Sequence, residues 1–441
     1  MAGRNRRGRD AMGVGLAALN RLAGVAVIDK LKLRGPIENA VFTGSKVGFR
    51  SVGVANRTFA AVGSKRGGAK RPSPSGERGL FDLTPTDEQK MIVDATREFA
   101  AEKLRPAAAE ADVECAAPDA VLTQSVAELG VTLLGVPESL GGMSEERSAT
   151  TGALVAEALA HGDMGLAVAC LAPAGVSNAL ALWGSAEQQA TYLPSFVGDD
   201  VPAAALAVLE PRPLFDPFTL TTTATRKGDG YVLEGVKSLV PRAATAELFV
   251  VAAALEGTPR LFVVESGTSG VLIEAEPAMG LRAAATGRLV LDQVSLPAAA
   301  LLGEADDYAE CIRLSRIGWA ALACGTGKAV LDYVIPYVNE RVAFGEPISN
   351  RQAVAFMVAN IGIELEGARL VMLRAASRAD QGAPFAREAG LARRLTAEYG
   401  MQIGSSGVQL LGGHGYVKEH PVERWYRDLR AAGVMEGVVL V

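Results

Sequence analysis

The sequence contains little cysteine and little histidine, and this scarcity limits the kinds of site it can form. Its 441 residues include four cysteines and three histidines. The cysteines match no zinc or redox spacing, so we expect reduced core thiols in a cytosolic compartment. The histidines are too few and too scattered along the chain to predict a metal site, and we expect none. These residues are Cys115, Cys170, Cys311, Cys324, His161, His414 and His420.

Aromatic residues are also scarce, and Ala and Gly take their place. Aromatics make up 5% of the chain against 49% hydrophobic residues, a composition that suits closely packed helices around a large core. Residues 164–186 carry no charge and are long enough to span a membrane. Because Pro173 and Asn178 interrupt this run, we expect a buried helix pair instead.

Charge is distributed unevenly along the chain. Residues 1–78 hold sixteen Lys and Arg against four Asp and Glu, a net charge of +12, whereas the whole chain carries −5. A basic arm on an acidic body favours an anionic partner such as a membrane surface or an acidic protein face. Nucleic acid is not expected, because the arm's few aromatic residues lie outside dense charge.

Helical and strand patterns divide the chain into segments. Residues 1–80 are predicted to be a basic extension, with short amphipathic helices over 1–62 and a linker rich in Gly, Ser, Pro and basic residues over 63–80. Residues 81–200 read as helices that begin at a capping box of Thr86 and Gln89. Residues 201–303 contain short β-type runs, and residues 304–441 return to the helical period. This order predicts an α+β fold with segregated helices and strands.

The chemistry suggested by the residues alone centres on Glu436. This carboxylate follows an apolar Val434-Met435 step, and apolar surroundings raise a carboxyl pKa towards neutrality, which suits a base. The alternative is a surface Glu before a helix-ending Gly437. Composition alone favours the surface interpretation.

Several short motifs stand out along the chain: Glu210-Pro211, Lys237, Met279-Gly280-Leu-Arg282, Arg341-Val-Ala-Phe344-Gly345, and the stretch from Gln409 to Gly437. In their order and spacing, these motifs resemble the acyl-CoA dehydrogenase family over residues 81–438. The resemblance implies an N-terminal α-helical domain, a middle β-barrel-like domain and a C-terminal four-helix bundle. It implies flavin-dependent oxidation of an acyl-CoA thioester to the trans-2-enoyl-CoA.

The resemblance also implies roles for individual residues. Glu436 occupies the position of the base that removes the α-proton, and Ser315 stands at the position where a minority branch of the family has its base. Arg316 is implied to lie near the acyl thioester and bind substrate. FAD is implied to lie between subunits, gripped by the bundle of a neighbour. The residues that match this grip are Arg341, Phe344, Gln352, Gln409, Gly412 and Gly413.

The middle segment departs from the family pattern where flavin contacts are usual. The family's Thr, Ser, Trp and Thr are replaced by Leu209, Phe215, Leu239 and Pro241. Each lost hydrogen bond is worth roughly 0.5–1.5 kcal/mol, although backbone amides could supply part of the contact. Three interpretations follow: an active dehydrogenase, a flavin-poor subunit of a mixed oligomer, or a non-catalytic scaffold tethered by its arm.

The expected partners follow from the resemblance and from the arm. The resemblance implies an acyl-CoA substrate, a dimer or tetramer of one or two chain types, and electron-transfer flavoprotein as electron acceptor. The arm, residues 1–78, predicts peripheral contact with an anionic membrane. The expected location is cytoplasmic, with that contact at the inner face of the membrane.

Overall fold

The computed structural model describes residues 83–143, 147–198 and 200–441. The basic extension of residues 1–80 lies outside the described residues, and so do the amphipathic helices expected in it.

The first domain is helical, and its first described helix follows Thr86. The Thr86 hydroxyl accepts a hydrogen bond from the Gln89 N–H at 3.1 Å, while the Gln89 side chain accepts one from the Thr86 N–H at 3.0 Å. The predicted capping box is therefore confirmed. A π-helical turn, Ala100–Leu104, joins the first two helices. The helices are α1 (Asp87–Phe99), α2 (Arg105–Glu114), α3 (Asp119–Leu129), α4 (Ala149–Gly162), α5 (Met164–Trp183) and α6 (Ala186–Tyr192).

The helix pair expected over residues 164–186 is wrong. α5 continues through Pro173 as one helix. Proline removes one helical hydrogen bond, but nearly every side chain of α5 is buried, and this packing outweighs the loss. By length and composition, α5 is the one helix among the described residues that could cross a membrane, yet most of it is buried inside the protein. That burial fits a soluble protein.

The middle domain is an eight-stranded sheet within the described part of the chain. The order along the sheet is β6-β7-β3-β2-β4-β5-β8, with β1 paired to β4 in parallel. One face packs on its own apolar cluster around Phe249, Phe262 and Leu289. The strands are β1 (Ala204–Ala207), β2 (Thr223–Lys227), β3 (Gly230–Val240), β4 (Leu248–Leu255), β5 (Thr258–Glu265), β6 (Val271–Ala275), β7 (Gly287–Leu296) and β8 (Leu301–Leu302).

The last domain is a helical bundle built on one long central helix, α7. α7 packs against α4 of the first domain and α9 of its own bundle. Gly325 permits the first contact, because a Cβ there would lie 2.0 Å from the Glu157 carbonyl oxygen. The helices are α7 (Ala305–Glu340), α8 (Gln352–Asp380), α9 (Ala386–Leu411), α10 (Val422–Leu429) and α11 (Ala431–Val434), and a short hairpin of β9 (Val342–Ala343) and β10 (Glu346–Pro347) links α7 to α8. The order of helices, sheet and helices confirms the predicted α+β class.

Candidate active site

Glu436 is a buried carboxylate held by two arginines from different helices. It follows the end of α11 and is only 2% exposed. The Arg316 Nη2 lies 2.8 Å from Glu436 Oε1, and the Arg316 Nε lies 3.2 Å from both carboxylate oxygens. Arg393 Nε approaches Oε1 at 3.1 Å. Among the described contacts, Oε1 therefore receives three and Oε2 receives one.

These contacts decide between the two interpretations of Glu436. The surface interpretation is wrong, because the side chain is buried. The expectation of apolar surroundings is also wrong, because two guanidinium groups face the carboxylate. Sequence pattern misses this pairing, since Arg316 and Arg393 lie far from Glu436 along the chain and converge only through packing of α7 and α9.

Arg393 also holds the backbone that carries Glu436. Its Nη1 donates to the Met435 carbonyl oxygen at 2.6 Å and to the Ala432 carbonyl oxygen at 3.3 Å, while Nη2 donates to the Gly433 carbonyl oxygen at 3.3 Å. Burial lowers the pKa of Arg393, and the Glu436 charge opposes that shift. These bonds satisfy carbonyls at the end of α11 that have no helical partner. Arg393 was not among the residues predicted from sequence.

Two side chains of α7 fix the same loop from the other side. The Ser315 hydroxyl and the Trp319 indole N–H both donate to the Gly437 carbonyl oxygen, each at 2.7 Å. Gly437 has φ of +76°, a conformation that glycine adopts without a Cβ penalty. Ser315 therefore acts on the backbone beside Glu436, and Arg316 is placed next to the carboxylate itself.

A cavity of about 410 Å³ opens beside Met435, between the sheet domain and the bundle. We call it the Met435 cavity; Leu239, Thr286, Arg430 and Val434 are among the residues that line it. The Arg430 Nε is buried without a hydrogen-bond partner. A largely apolar cavity with an unpartnered buried donor fits a planar ligand that carries polar groups.

Leu239 has a strained backbone at the wall of this cavity. Its φ is +51°, which is costly for a residue with a Cβ, and the β3–β7 register shifts between Lys237 and Val240. The Glu276 carboxylate holds the strained segment by accepting bonds from the Leu239 N–H at 2.7 Å and the Ser238 hydroxyl at 2.8 Å. The Leu239 amide is thus already engaged by a protein group.

At the other three positions where the family's usual flavin-contacting residues are replaced, the side chains pack within the protein itself. Leu209 and Pro241 are buried, and the Arg212 guanidinium lies 5.4 Å from the centre of the Phe215 ring. The motif residues Glu210 and Lys237 form a buried ion pair at 2.9 Å.

That ion pair is ionic at neutral pH. Burial would raise the pKa of Glu210, but the Lys237 charge and hydrogen bonds from Thr221 and Thr222 lower it to about 2. Burial lowers the pKa of Lys237 to about 8, against the opposing Glu210 charge. Because pH 7 lies between these two values, both groups are charged there.

A second cavity, of about 520 Å³, brings together most of the residues predicted to grip the cofactor. We call it the Arg341 cavity. Arg341, Phe344, Gln409, Gly412 and Gly413 all line it. The sixth predicted residue, Gln352, is exposed at the first turn of α8, between two residues that line the cavity.

The walls of the Arg341 cavity leave room for a ligand. Nothing lies within 4 Å of where a Cβ would be on Gly412 or Gly413, and Gly412 has φ of +59° with ψ of −132°, a conformation that strongly favours glycine. The Phe344 ring is 96% exposed. An arginine, an amide, open backbone and an exposed ring suit an aromatic ligand with phosphate groups.

An ion pair and a buried hydrogen bond anchor α10, which leads to the Glu436 loop. Arg427 makes a bidentate pair with Asp112 of α2, with both distances 2.9 Å. Asp428 accepts a hydrogen bond from the Leu281 N–H at 2.7 Å, and burial, together with the nearby Asp163 carboxyl, raises the pKa of its carboxyl. α10 is therefore tied to both the first and the middle domain.

The histidines are less scattered than the sequence suggests. His414 and His420 lie close together with Glu419, and one ligand atom from each residue lies within 4.8 Å of the others. The turn between α9 and α10 brings them together. His161 lies elsewhere, 3.1 Å from Asp332.

Three family models match successive parts of the chain. They are the acyl-CoA dehydrogenase N-terminal domain over residues 86–200, the middle domain over 205–294, and the C-terminal domain over 307–439. The bovine mitochondrial short-chain specific acyl-CoA dehydrogenase is 33% identical over 386 residues, which cover 83% of this chain and 92% of that protein.

Solved structures with the same fold include butyryl-CoA dehydrogenase from Megasphaera elsdenii. It matches with a TM-score of 0.74 and 29% identity, over 81% of this chain and 96% of its own. A chain of a structure described as the electron transferring flavoprotein of Acidaminococcus fermentans matches with a TM-score of 0.74, 29% identity and the same coverage of both chains.

Proposed function

This chain belongs to the acyl-CoA dehydrogenase family, and we propose that Glu436 is the base with which it removes the α-proton of an acyl-CoA thioester. The protein is a flavin-dependent oxidoreductase acting on CH–CH bonds, and its cofactor is FAD. The observation that carries the proposal is the burial of Glu436 directly after Met435, which lines a cavity that an isoalloxazine ring would fit.

The contacts of Glu436 indicate which oxygen takes the proton. Oε1 is held by Arg316 and Arg393, whereas Oε2 has a single contact, to Arg316 Nε at 3.2 Å. Oε2 keeps more free lone-pair capacity than Oε1 and is therefore assigned as the oxygen that takes the α-proton. The α C–H bond breaks towards Oε2, its electron pair forms the new C=C bond, and the β-hydrogen leaves as hydride. FAD, when bound, accepts that hydride.

Arg316 orients the reacting groups. Besides pairing with Glu436, its guanidinium lies 5.9 Å from the centre of the Phe218 ring, so two contacts define its plane. A substrate whose α-carbon reaches Glu436 would bring its thioester close to this guanidinium. Arg316 is thus proposed to bind substrate and to position the base.

The cofactor site is proposed to cross subunits. The Met435 cavity of one chain would hold the isoalloxazine ring, and the Arg341 cavity of a neighbour would hold the ADP half. Arg341 would bind the pyrophosphate as a forked donor, and Gly412 and Gly413 would let backbone amides approach it. Gln352, exposed between two residues that line this cavity, is proposed to contact the same ligand. The protein is then a homo-oligomer, a dimer or tetramer.

One observation favours the alternative of a flavin-poor subunit. The Leu239 amide, which could have replaced a lost flavin contact, is already bonded to Glu276. In this alternative the chain lends its Arg341 cavity to a partner that holds the flavin.

The substrate is proposed to be a short acyl-CoA. The small residues Ala320, Ala321 and Ala323 in the middle of α7 are buried and packed into the cores, so they do not open a channel for a long tail. The names of two similar proteins, the bovine short-chain specific acyl-CoA dehydrogenase and butyryl-CoA dehydrogenase, indicate short acyl substrates. The electron acceptor is proposed to be an electron-transfer flavoprotein, in line with the A. fermentans structure.

The location is proposed to be cytoplasmic with peripheral membrane contact. The support is the +12 charge of residues 1–78 together with their regularly spaced apolar residues. Each basic residue near an anionic membrane surface contributes about 1 kcal/mol to binding, and this attraction weakens as the salt concentration rises.

Reduction of bound flavin tests the proposed function. The full-length chain is purified, its FAD content is measured from its absorbance, and butyryl-CoA is added without oxygen. Stoichiometric FAD that bleaches as an enoyl-CoA forms supports an active dehydrogenase. Stoichiometric FAD that butyryl-CoA does not bleach contradicts an active short-chain dehydrogenase, and a chain that binds no FAD even in excess supports the flavin-poor alternative.

A further inference from the structure

His414, Glu419 and His420 form a cluster of metal-ligand side chains to which the proposed reaction assigns no role. One ligand atom of each residue lies within 4.8 Å of the others. The two imidazole rings are 5.7 Å apart, centre to centre, and nearly perpendicular. His414 and Glu419 are exposed and His420 is half-buried, so solvent can deliver an ion to the cluster.

His420 is already oriented by a neighbouring group. Its Nδ1 lies 2.6 Å from the Tyr333 hydroxyl, and the rings of Tyr333 and Tyr337 meet it edge on at 6.0 and 5.8 Å. When Nδ1 carries the proton and donates it to Tyr333, the lone pair of Nε2 is free. A hydrogen bond at one ring nitrogen is the usual way in which a protein fixes the other for a metal ion.

The donor set selects a class of ion. Two imidazoles and one carboxylate suit borderline divalent ions such as Zn²⁺, whereas Ca²⁺ and Mg²⁺ prefer oxygen ligands. Zn–N bonds of about 2.0 Å place the donors of a tetrahedral site roughly 3.3 Å apart. The exposed side chains of His414 and Glu419 can close the remaining distance by rotation, because nothing buries them.

We propose that His414, Glu419 and His420 bind one divalent transition-metal ion of the Zn²⁺ class, with a fourth position open to water or a ligand. His414 also lines the Arg341 cavity, so the bound ion adds positive charge at the edge of that cavity. The proposal stands on this cluster alone and does not depend on the identity of Glu436 as a base.

The competing explanation is purely structural. His420 packs on Tyr333, whose ring also meets Trp425 at 5.7 Å, and an aromatic cluster of this kind stabilises the turn without any ion. The two explanations differ in what they predict for Tyr333: its hydroxyl matters for metal affinity and adds little to ring packing.

Titration with Zn²⁺ tests the proposal. The tag-free full-length chain is treated with chelator, dialysed, and titrated with Zn²⁺ alone by calorimetry and with Co²⁺ by visible absorption. We expect one ion per chain. His414→Ala, Glu419→Gln and His420→Ala should each weaken binding at least about tenfold, and Tyr333→Phe should weaken it by about 10–100-fold.

Matched controls separate the metal site from general effects. Lys418→Ala changes the same turn without removing a ligand, and Tyr337→Phe removes a hydroxyl that bonds the Leu411 carbonyl oxygen rather than His420. Both should bind Zn²⁺ as the unmodified chain does, and circular dichroism checks that every variant is folded. No stoichiometric binding, or affinities that do not change in the ligand variants, would overturn the proposal.

Discussion

Arg393 links the candidate base to the helix end that carries it. Its Nε lies 3.1 Å from Glu436 Oε1, and its Nη1 donates to the Met435 carbonyl oxygen at 2.6 Å. One rigid guanidinium therefore sets both the backbone and the side chain of Glu436. A lysine at this position has a single ammonium and cannot make both contacts with the same geometry.

Arg393→Lys should thus lower kcat more than it raises KM. A displacement of about 1 Å at the reacting groups costs on the order of 100-fold in rate, and we expect a loss of this order with FAD still bound. The neighbouring Arg394 is exposed, so Arg394→Lys serves as the matched control and should keep the original kcat. An unchanged kcat in Arg393→Lys would show that Arg393 does not position the base.

The second prediction concerns cofactor binding by the Arg341 cavity. Arg341→Ala should raise the Kd for FAD by about 10–100-fold, because a hydrogen bond to a charged group contributes about 1.5–3 kcal/mol. Arg387→Ala changes an exposed arginine at the start of α9 and should leave the Kd unchanged. Calorimetric titration of the apoprotein with FAD measures both, and equal affinities would remove Arg341 from the cofactor site.

Mixing two impaired variants at limiting FAD tests whether the site crosses subunits. Glu436→Gln retains the Arg341 cavity, and Arg341→Ala retains the base. After subunit exchange, a site with Glu436 from one chain and Arg341 from the other is complete. Activity of the mixture should exceed that of either variant alone, whereas a site within one chain predicts no recovery.

The buried Glu210–Lys237 pair makes the stability of the folded protein depend on pH. In the folded protein the pKa of Glu210 is about 2, below its ordinary value of 4.5. The stabilisation that ionised Glu210 gives the folded state is therefore present above pH 4.5 and is lost as pH falls towards 2. Glu210→Gln leaves Lys237 buried without its partner and should cost about 3–5 kcal/mol at neutral pH. Urea unfolding from pH 2 to pH 7 checks both statements.

A double variant separates the pair from its individual members. Glu210→Gln with Lys237→Met removes both charges and should regain much of the stability lost in Glu210→Gln. If the single and double variants are equally unstable, the loss comes from packing or from the hydrogen bonds of Thr221 and Thr222 rather than from the unpaired lysine.

The basic arm gives a prediction about membranes. The full chain should co-sediment with vesicles that contain anionic lipid, and binding should weaken as salt rises, because counter-ions screen the attraction. A chain that starts at Leu80 should stay in solution. The arm would be ruled out as an anchor if both chains sediment equally with the vesicles, or if binding does not change with salt concentration.

Local signals in the sequence predict local structure well. The Thr86–Gln89 capping box depends on residues three apart, and the structure reproduces it. The order of helices, sheet and helices follows from periodicity that each segment carries within itself. The break expected at Pro173 fails because burial on all sides of α5 depends on neighbours that a single segment does not reveal.

The details of the site depend on contacts between distant segments. Arg393 meets Glu436 only because α9 packs beside α11, and Glu276 reaches the Leu239 amide only through the pairing of β6, β7 and β3. The closeness of His414 and His420 arises from a turn whose path the residue spacing does not fix. The motifs include Glu436 and residues that line the Arg341 cavity. They do not reveal the side chains that contact these residues and hold them in place.

The most direct test of the account is α-proton exchange catalysed by the FAD-loaded enzyme. Butyryl-CoA is incubated in deuterated water, and deuterium at its α-carbon is followed by mass spectrometry. Glu436→Gln should slow exchange by about 10²–10⁴-fold while FAD stays bound, and Glu398→Gln, which changes an exposed glutamate of α9, should exchange at the original rate. Exchange at the original rate in Glu436→Gln would contradict the assignment of Glu436 as the base.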